Sequence, residues 1–246
     1  MAAGLITVPA FAGAGDGIRH FFGTRLQPAS AEAWTRASGT MRRSPQVPTV
    51  IVSVSQVHGT DALVVDRRPK AGAVFPGGWD ALVTDQPGVL LTIRTADCVP
   101  VLLYDARRRV VAAIHAGWRG TVAGIVPQTL SLVKRQFAAN LDDIRLAIGP
   151  SAGPCCYEVD EAVLARLRAS YPSWPRVARE IGRGKALLDL RELIRRQAES
   201  AGVQAERMSL VGVCTICHPQ LFYSYRREGV VKNTMVSGVM LAASLQ

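Results

Sequence analysis

Short, almost uninterrupted apolar runs fill the first half of the chain and restrict its possible folds more than any other pattern in the sequence. They are rich in Val, Ile and Leu, are separated by Pro, Gly and Asp, and lie at residues 49–55, 62–65, 80–84, 89–95, 99–104 and 110–115. Runs of this length and composition predict β-strands. Because apolar and polar residues do not alternate within them, we expect the strands to form sheets that are covered on both faces.

The second half of the chain combines helices with further strands. Helices are predicted at residues 121–139, 161–170 and 189–201, and strands at residues 144–148 and 208–213. The third helix has the clearest signals, because Asp189 and Glu192 form a capping box at its start and Gly202 is placed to end it. Pro127 disfavours the first half of the first helix. The predicted fold therefore mixes helices with several consecutive strands.

The composition, with 48% hydrophobic and 20% charged residues, is that of a folded globular protein and excludes a disordered, collagen-like or coiled-coil chain. With 246 residues and no recognisable linker, a single domain over residues 1–246 is the simplest organisation. The chain contains no uninterrupted run of about 18 apolar residues, so no membrane-spanning helix is expected. The apolar N-terminus lacks the basic start and compact apolar centre of a signal peptide. We therefore expect a soluble, cytoplasmic protein without a membrane partner.

The formal net charge of +10 raises the question of a nucleic-acid partner. The basic residues are spread evenly along the chain and form no tail or arm. Nucleic-acid binding is therefore not expected, and an RNA-binding or assembly factor is kept only as the non-enzymatic alternative. Steeply salt-dependent retention of RNA would favour that alternative.

Histidine and cysteine are scarce, and their few positions carry most of the chemical information. The chain has four His and five Cys, at positions 20, 58, 115 and 218 and at positions 98, 155, 156, 214 and 217. An odd number of cysteines without a secretory signal argues against a disulfide framework. Some of these side chains are therefore expected to be metal ligands or reactive groups.

Three of these scarce residues, His58, Cys98 and His115, follow or end predicted strands. The stiff end of a strand is a suitable place to project a ligand, and one thiolate with two imidazoles suits Zn²⁺ or copper. Three protein ligands leave a fourth position open for water or substrate, as in catalytic zinc sites. The alternative is that both histidines are hydrogen-bonded core residues and that Cys98 is a small hydrophobe.

Five longer motifs resemble, in the same order, those of the laccase-domain family. They are SQVHGTD (55–61), WDALVTDQPGVLLTIRTADCVPVLLYD (79–105), VVAAIHAGWRGTVAGI (110–125), AIGPSAGPCCYEV (147–159) and CTICHPQLFYSYRREG (214–229). Members of this family were labelled multicopper polyphenol oxidases and later recognised as purine nucleoside phosphorylases. The resemblance covers residues 53–229, and its most specific parts are HAGWRGT and GPCCYEV.

The resemblance implies an α+β fold with four layers, α/β/β/α, and mixed sheets. It implies phosphorolysis of purine nucleosides such as adenosine, inosine, guanosine and methylthioadenosine, with deamination of adenosine at the same site. It also implies that His58, Cys98 and His115, in the QVHG, TADC and HAGWRG motifs, bind zinc. These are the same three residues that the predicted strands select. The expected partners are purine nucleosides and phosphate, and the chain is expected to be a monomer or a homodimer.

Other residues near these motifs are expected to act on the substrate. Arg119 follows the third ligand by four residues and joins the three ligands in the predicted catalytic set, because a guanidinium suits phosphate; a structural ion pair is its alternative role. Gln56 and Asp97 could line the mouth of the site, with Asp97 acting as a ligand's partner, as an acid or base, or only as a turn residue. Arg226, between two tyrosines, could hold phosphate or stack on a base.

The remaining four cysteines allow several interpretations. Cys214 and Cys217 begin a C-x-x-C-H string of the kind that attaches haem, but such attachment occurs in exported proteins. A zinc site formed with Cys155 and Cys156, a packing seam of buried thiols, and a redox or nucleophilic site are the alternatives. The sequence does not choose among them.

Two segments depart from the family pattern. Residues 20–30 read HFFGTRLQPAS without the usual Gly-rich part, and residues 229–244 read GVVKNTMVSGVMLAAS where a segment containing Thr-Gly-Arg is expected. Substrate contacts from these two ends are therefore left open.

Two rival activities are polyphenol oxidation with Cu²⁺ in the same site and hydrolytic editing of cell-wall precursors. A laccase needs a mononuclear copper and a trinuclear cluster, and hence roughly ten His ligands. With four His in all, this chain cannot build that set. Oxidation by a single copper in the zinc site remains as the alternative.

Overall fold

The structure is a computed structural model that describes residues 4–12, 17–27 and 50–242. Within these ranges the strands are β1 (Leu5–Ile6), β2 (Ile18–Gly23), β3 (Val50–Val52), β4 (Ala62–Val64), β5 (Ala81–Thr84), β6 (Val89–Thr95), β7 (Val99–Asp105), β8 (Val110–Ala116), β9 (Ile144–Ile148), β10 (Glu158–Val159), β11 (Ala178–Gly182), β12 (Lys185–Leu188), β13 (Met208–Leu210) and β14 (Met235–Leu241). The α-helices are α1 (Pro9–Ala12), α2 (Trp118–Val122), α3 (Ile125–Phe137), α4 (Glu161–Ser170), α5 (Leu190–Ala201) and α6 (Tyr225–Glu228). Short 3₁₀ turns lie at Leu141–Asp143, Trp174–Arg176 and Ala205–Arg207. None of the helices in the described ranges combines the length and the apolar surface that crossing a membrane requires.

Three sheets organise these strands. A six-stranded sheet has the order β13-β9-β7-β8-β5-β4, a five-stranded sheet has the order β1-β2-β14-β6-β3, and a small sheet has the order β10-β12-β11. The first two are mixed, because β4 pairs with β5, β13 with β9 and β3 with β6 in parallel, whereas their other pairs are antiparallel. The predicted α+β class with mixed sheets is therefore confirmed.

Side-chain alternation along the six-stranded sheet produces two buried cores. Leu82, Leu102 and Ala113 belong to a core that they share with Leu91 and Val239 of the five-stranded sheet. Residues at the intervening positions of the same strands pack instead with the buried faces of α3, α4 and α5. The six-stranded sheet is thus covered on both faces, as the continuous apolar runs predict. The described residues form both sheets of the predicted sandwich and the helical layer outside the six-stranded one.

The predicted helix over residues 121–139 is wrong in its boundaries. The structure has two helices there, α2 and α3, separated by Ala123 and Gly124, and Gly124 adopts a left-handed φ of 85°. Pro127 lies in the first turn of α3, where its missing N–H removes no helical hydrogen bond. Asp189 is confirmed as the N-cap of α5, because its carboxylate accepts hydrogen bonds from the N–H groups of Arg191 and Glu192. The reciprocal half of the predicted capping box is wrong, because the N–H of Asp189 donates to the carbonyl of Val177 and the Glu192 carboxylate accepts from Arg195.

Strands β2 and β14, at the two ends of the described chain, are absent from the predicted set. The central strand of the five-stranded sheet is β14, which pairs with both β2 and β6. Gly238 lies in its middle, and a Cβ there would come within 3.1 Å of Leu90 and 3.0 Å of Phe21. Close packing thus favours the glycine that makes this segment look unlike a strand. The unusual segment at residues 229–244 supplies this strand, whereas residues 28–30 of the altered N-terminal motif lie outside the described residues.

His20, on β2, is one of the histidines without a predicted role. Its side chain is 4% exposed, its Nε2 accepts a hydrogen bond from the N–H of Val8 at 2.8 Å, and its ring packs edge-on against Phe11. Burial lowers the pKa of His20 from 6.5 to about 4. The neutral imidazole therefore helps to hold α1 and the N-terminal segment against the five-stranded sheet.

We expect His20 to make the folded state sensitive to mild acid. The pKa of His20 is lower in the folded protein than in the unfolded chain. Its contribution to the free energy of unfolding is therefore complete above pH 6.5 and is lost as the pH falls towards 4. A shift of this size corresponds to about 3 kcal/mol of unfolding free energy. The measurement is denaturant unfolding across this range for the wild type and His20→Leu. The variant is expected to be less stable at neutral pH, and its unfolding free energy is expected to change less with pH. Parallel curves of unfolding free energy against pH for the two proteins would contradict this role of His20.

Candidate metal centre

The three predicted ligands lie where the chain passes between the two large sheets. His58 is in the connection from β3 to β4, and Cys98 ends the connection from β6 to β7. Both connections leave the five-stranded sheet and enter the six-stranded one. His115 is the penultimate residue of β8 and shares a strand face with Ala113, which packs between the sheets. The fold therefore brings the three residues to one end of the layer between the sheets.

The donor atoms of the three residues form a compact group. The ligand atoms of His58, Cys98 and His115 all lie within 4.8 Å of one another. The Sγ of Cys98 is 3.8 Å from Nε2 of His58, and the two imidazole rings pack edge to face with centroids 4.8 Å apart. His115 is buried, Cys98 is half-buried and His58 is exposed, so the group opens to solvent beside His58. One sulfur and two imidazole nitrogens suit a borderline-soft divalent cation with a further position for a small molecule.

Asp80, which the sequence analysis does not identify, organises two of the three ligands. Its buried carboxylate accepts through Oδ1 from the N–H of His58 at 2.9 Å and pairs with Nδ1 of His115 at 2.7 Å. Its Oδ2 accepts from the N–H groups of Val57 at 3.2 Å and Gly59 at 2.6 Å. Because the carboxylate occupies Nδ1 of His115, Nε2 is the nitrogen left for a metal. The only sequence signal for this role is the place of Asp80 in the WDALVTD motif.

The prediction that His58 projects from the end of a strand is wrong. The strand ends at Val52, and His58 lies six residues later with a left-handed φ of 62°. Three successive N–H groups, those of Val57, His58 and Gly59, turn towards one carboxylate instead of a neighbouring strand. The carboxylate of Asp80 therefore sets the backbone that places this ligand.

Charge in the cluster favours the ligand form of the thiol. Burial opposes the thiolate of Cys98, but hydrogen bonds with His115 and His58 outweigh it and lower the pKa of Cys98 to about 7. Burial likewise opposes a charged His115, yet the hydrogen bond with Asp80 dominates and raises its pKa to about 9. The pKa of Asp80 is lowered despite burial, because His115 and the N–H group of Gly59 stabilise the carboxylate. The metal-free cluster is thus a charged, mutually hydrogen-bonded group.

Gly117 lets two ligands approach the start of α2. A Cβ at this position would lie 2.8 Å from Cδ2 of His58 and 3.1 Å from Sγ of Cys98. Carbon atoms in contact normally stay about 3.5–4.0 Å apart, so only glycine fits here without displacing a ligand. The HAGWRG motif therefore contributes both a ligand and the space that two other ligands occupy.

Asp97 has a different environment from the one expected of a residue that binds substrate. Its Oδ1 accepts from the hydroxyl of Thr215 at 2.6 Å, and its Oδ2 accepts from the hydroxyl of Ser224 at 2.9 Å and the N–H of Arg226 at 2.7 Å. Its backbone is left-handed, with φ at 89°. These bonds tie the turn that carries Cys98 to the C-terminal segment. The geometry favours a positioning role over direct contact with substrate.

The other predicted substrate residues differ in whether their side chains are already hydrogen-bonded to the protein. Gln56 is bound through both amide atoms to the backbone of Arg94, at 2.8 Å each, and so joins the His58 connection to β6. Arg226 donates to the carbonyl of Glu158 at 2.8 Å. Arg119 is exposed and stacks over Trp118 at 4.5 Å, and its guanidinium makes no hydrogen bond to the described part of the chain. Arg119 therefore keeps its donors available for a ligand.

Tyr157 is a second residue near the site that sequence reasoning missed. Its ring lies under the guanidinium of Arg226, 5.2 Å from it. Burial raises the pKa of Tyr157 to about 12; the charge of Cys98 adds to the rise, and those of Arg226 and Arg119 oppose it. The phenol therefore lies in the electrostatic field of the metal cluster and of both arginines, and it stays protonated at neutral pH. Its signal is the final Tyr of GPCCY.

The chain belongs to the family described as multi-copper polyphenol oxidoreductase laccase, whose model matches residues 30–242. It is 38% identical over 207 residues to a purine nucleoside phosphorylase of Bacteroides thetaiotaomicron, covering 82% of this chain and 77% of that protein. It is 36% identical over 195 residues to adenosine deaminase RL5 from an unknown prokaryotic organism, covering 77% and 74%. The crystal structure of YlmD from Geobacillus stearothermophilus superposes with a TM-score of 0.85 at 29% identity, over 99% of this chain and 98% of that one.

Proposed function

We propose that this protein is a cytoplasmic, zinc-dependent purine nucleoside phosphorylase that also deaminates adenosine. Named relatives carry both activities, and the chain is an enzyme of their kind. The observation that carries the proposal is the oriented His58, Cys98 and His115 cluster, which is open to solvent beside His58. Purine nucleosides and phosphate are the substrates that these groups fit.

The chain's own residues prepare the centre for a zinc ion. Asp80 orients Nε2 of His115 and fixes the backbone of His58, while the hydrogen bonds of Cys98 favour its thiolate. When bound, zinc at these residues supplies a Lewis acid that activates water and stabilises developing negative charge. Arg119 and Arg226 contribute positive charge near Tyr157, and Tyr157 contributes a protonated hydroxyl.

Phosphorolysis requires an anion to be held against the sugar. A phosphate oxygen forms a bond to C1′ as the bond from C1′ to N9 breaks, and the purine takes up a proton and leaves as the free base. Arg119 has free guanidinium donors and is held by Trp118, so it can bind phosphate and position it. In deamination, water adds at C6 of adenosine and ammonia leaves, so phosphate is not needed.

A multicopper mechanism is not supported by the histidines of the described residues. His20, on β2, accepts a hydrogen bond from the N–H of Val8, and Nδ1 of His218 is 2.9 Å from the carbonyl of Cys214. Only His58 and His115 of the four share a cluster. A single copper in place of zinc remains the alternative for phenol oxidation, and it has the same ligands.

The direct test of the proposed function is product analysis. Purified, metal-replete protein is incubated with adenosine and phosphate, and the nucleobases, ribose-1-phosphate and ammonia are quantified. Formation of ribose-1-phosphate in equal amount to free base is expected, with inosine formed when phosphate is omitted. Absence of ribose-1-phosphate and inosine together would contradict the proposal, and oxidation of phenols only in the copper-loaded protein would favour the alternative.

We expect Arg119→Ala to weaken phosphate binding selectively. Losing a charge-assisted contact should raise the KM for phosphate roughly 10- to 100-fold, with little change in the phosphate-independent deamination of adenosine. Arg166→Ala is the matched control, because Arg166 also lies over Trp118, at 5.8 Å. An unchanged phosphate KM in Arg119→Ala, or an equal rise in both variants, would remove Arg119 from the phosphate site.

A further inference from the structure

Four cysteines form a second cluster that the proposed activity does not use. Cys155 and Cys156 belong to the connection between β9 and β10, and Cys214 and Cys217 belong to the connection between β13 and α6. The four Sγ atoms all lie within 4.8 Å of one another. All four are free thiols, and they come from segments about 60 residues apart in the chain. The fold therefore assembles a four-sulfur group from two separate connections.

The spacing of the sulfurs matches a single tetrahedral ion. The Sγ of Cys217 lies 3.4 Å from that of Cys155 and 3.2 Å from that of Cys156. Around an ion with metal–sulfur bonds of about 2.3 Å, tetrahedral geometry places the sulfurs about 3.8 Å apart. A cluster of several irons separates its cysteines further, because each thiolate binds a different iron or corner. The observed group is compact enough for one ion.

Backbone donors around Cys214 stabilise a thiolate. The N–H of Gly153 donates to its Sγ at 3.3 Å. The N–H groups of Cys217 and Ile216 direct further hydrogen bonds at the same sulfur. Backbone N–H groups directed at sulfur are the outer contacts that orient ligands in metal sites. The C-x-x-C spacing of Cys214 and Cys217 is also that of zinc-binding pairs.

Other uses of the four thiols fit the geometry less well. One disulfide would use two sulfurs, yet Cys217 is nearly equidistant from Cys155 and Cys156 and selects neither. In the C-x-x-C-H string the thiols face the Cys155 and Cys156 pair, and His218 is hydrogen-bonded back to Cys214. The haem interpretation is therefore not supported, and a four-sulfur ligand set remains.

We propose that Cys155, Cys156, Cys214 and Cys217 bind one thiophilic divalent cation, with zinc the best match, as a structural site distinct from the His58, Cys98 and His115 centre. Four thiolates complete the coordination of a tetrahedral ion and leave no position for substrate. The site therefore binds metal without taking part in the reaction.

The proposed ion would join two segments that form the wall of the catalytic centre. Tyr157 directly follows Cys156, and Thr215 directly follows Cys214. Thr215 donates to Asp97, which precedes the ligand Cys98. Fixing the four cysteines thus also fixes Tyr157 and the turn that presents Cys98. The consequence is a protein that carries two cations per chain in two chemically different sites.

Counting metal ions in purified variants tests this proposal. Native mass spectrometry, with elemental analysis for zinc, is expected to find two ions per wild-type chain, one in His58→Ala, one in Cys217→Ser and none in the double variant. Cys217→His, which keeps a ligand atom, is expected to retain two. One ion per wild-type chain that disappears in His58→Ala and persists in Cys217→Ser would overturn the second site and leave the proposed function intact. The second site is supported if Cys217→Ser loses one of the two ions and keeps the ion bound by His58, Cys98 and His115.

A thiol measurement on the wild type keeps the test independent of how well Cys217→Ser folds. In the metal-replete protein, Cys155, Cys156 and Cys217 are expected to resist alkylation and to become reactive when a strong chelator is added. Rapid alkylation of these exposed or half-buried thiols before chelation would contradict the proposal. So would a disulfide among them, identified by mass spectrometry of the protein as purified.

Discussion

Asp80→Asn is expected to weaken metal binding and turnover by about 10- to 100-fold, because Asp80 holds two ligands rather than one. Both oxygens of its carboxylate accept hydrogen bonds: Oδ1 from His58 and His115, and Oδ2 from Val57 and Gly59. An amide offers only one acceptor oxygen. In either orientation its NH₂ group would face N–H donors, and one orientation would also disturb the bond that leaves Nε2 of His115 free.

The same substitution is expected to destabilise the folded protein by roughly 3 kcal/mol, since it breaks a fully buried hydrogen-bonded ion pair. Metal titration, steady-state kinetics and denaturant unfolding measure the three effects. Asp85→Asn is the matched control, because Asp85 lies on the same segment and, among the described residues, its side chain is hydrogen-bonded only to the neighbouring Gln86 side chain. Wild-type metal affinity in Asp80→Asn, or equal losses in the two variants, would contradict the role given to Asp80.

Gly117→Ala is expected to lower turnover by roughly 100-fold while leaving the fold intact. The new methyl group would lie 2.8 Å from Cδ2 of His58 and 3.1 Å from Sγ of Cys98, so at least one ligand must move by about 1 Å. A displacement of that size at reacting groups is enough for such a loss. Metal affinity is expected to fall with turnover, because two ligands separate.

The control for this variant is Gly212→Ala, whose added Cβ would meet no atom within 4 Å and whose backbone is not left-handed. It is expected to have wild-type kinetics and metal affinity. Wild-type kinetics in Gly117→Ala, with unfolding free energy also unchanged, would show that the close approach at Gly117 is unimportant.

Local signals predict the secondary structure well where short-range interactions decide it. The N-cap at Asp189 and the end of the helix at Gly202 need only neighbouring residues, and both appear as predicted. Strand β14 depends on contacts with distant residues, because it pairs with both β2 and β6. Gly238 weakens the strand signal of β14, yet its reason for being there is the approach of Phe21 and Leu90 from other strands.

The ligand set is predictable because soft and imidazole ligands are rare in this chain, and family motifs select the same three. Its supporting residues are not predictable by that route. Asp80 is one of many acidic residues, and its role depends on a turn at His58 that its own carboxylate creates. Tyr157 gains its place only when the C-terminal segment brings Arg226 over its ring. The remaining cysteines, ambiguous in sequence, become a single group through the fold.

The central claim is that the cluster of His58, Cys98 and His115 is where the reaction takes place. It is tested most directly by adding zinc stepwise to metal-free protein and following the phosphorolysis of adenosine in the wild type and in His58→Ala. We expect metal-free wild type to be inactive and to regain activity as zinc is added, while His58→Ala stays folded but inactive throughout. Full activity in the metal-free protein, or equal recovery in His58→Ala, would contradict the account.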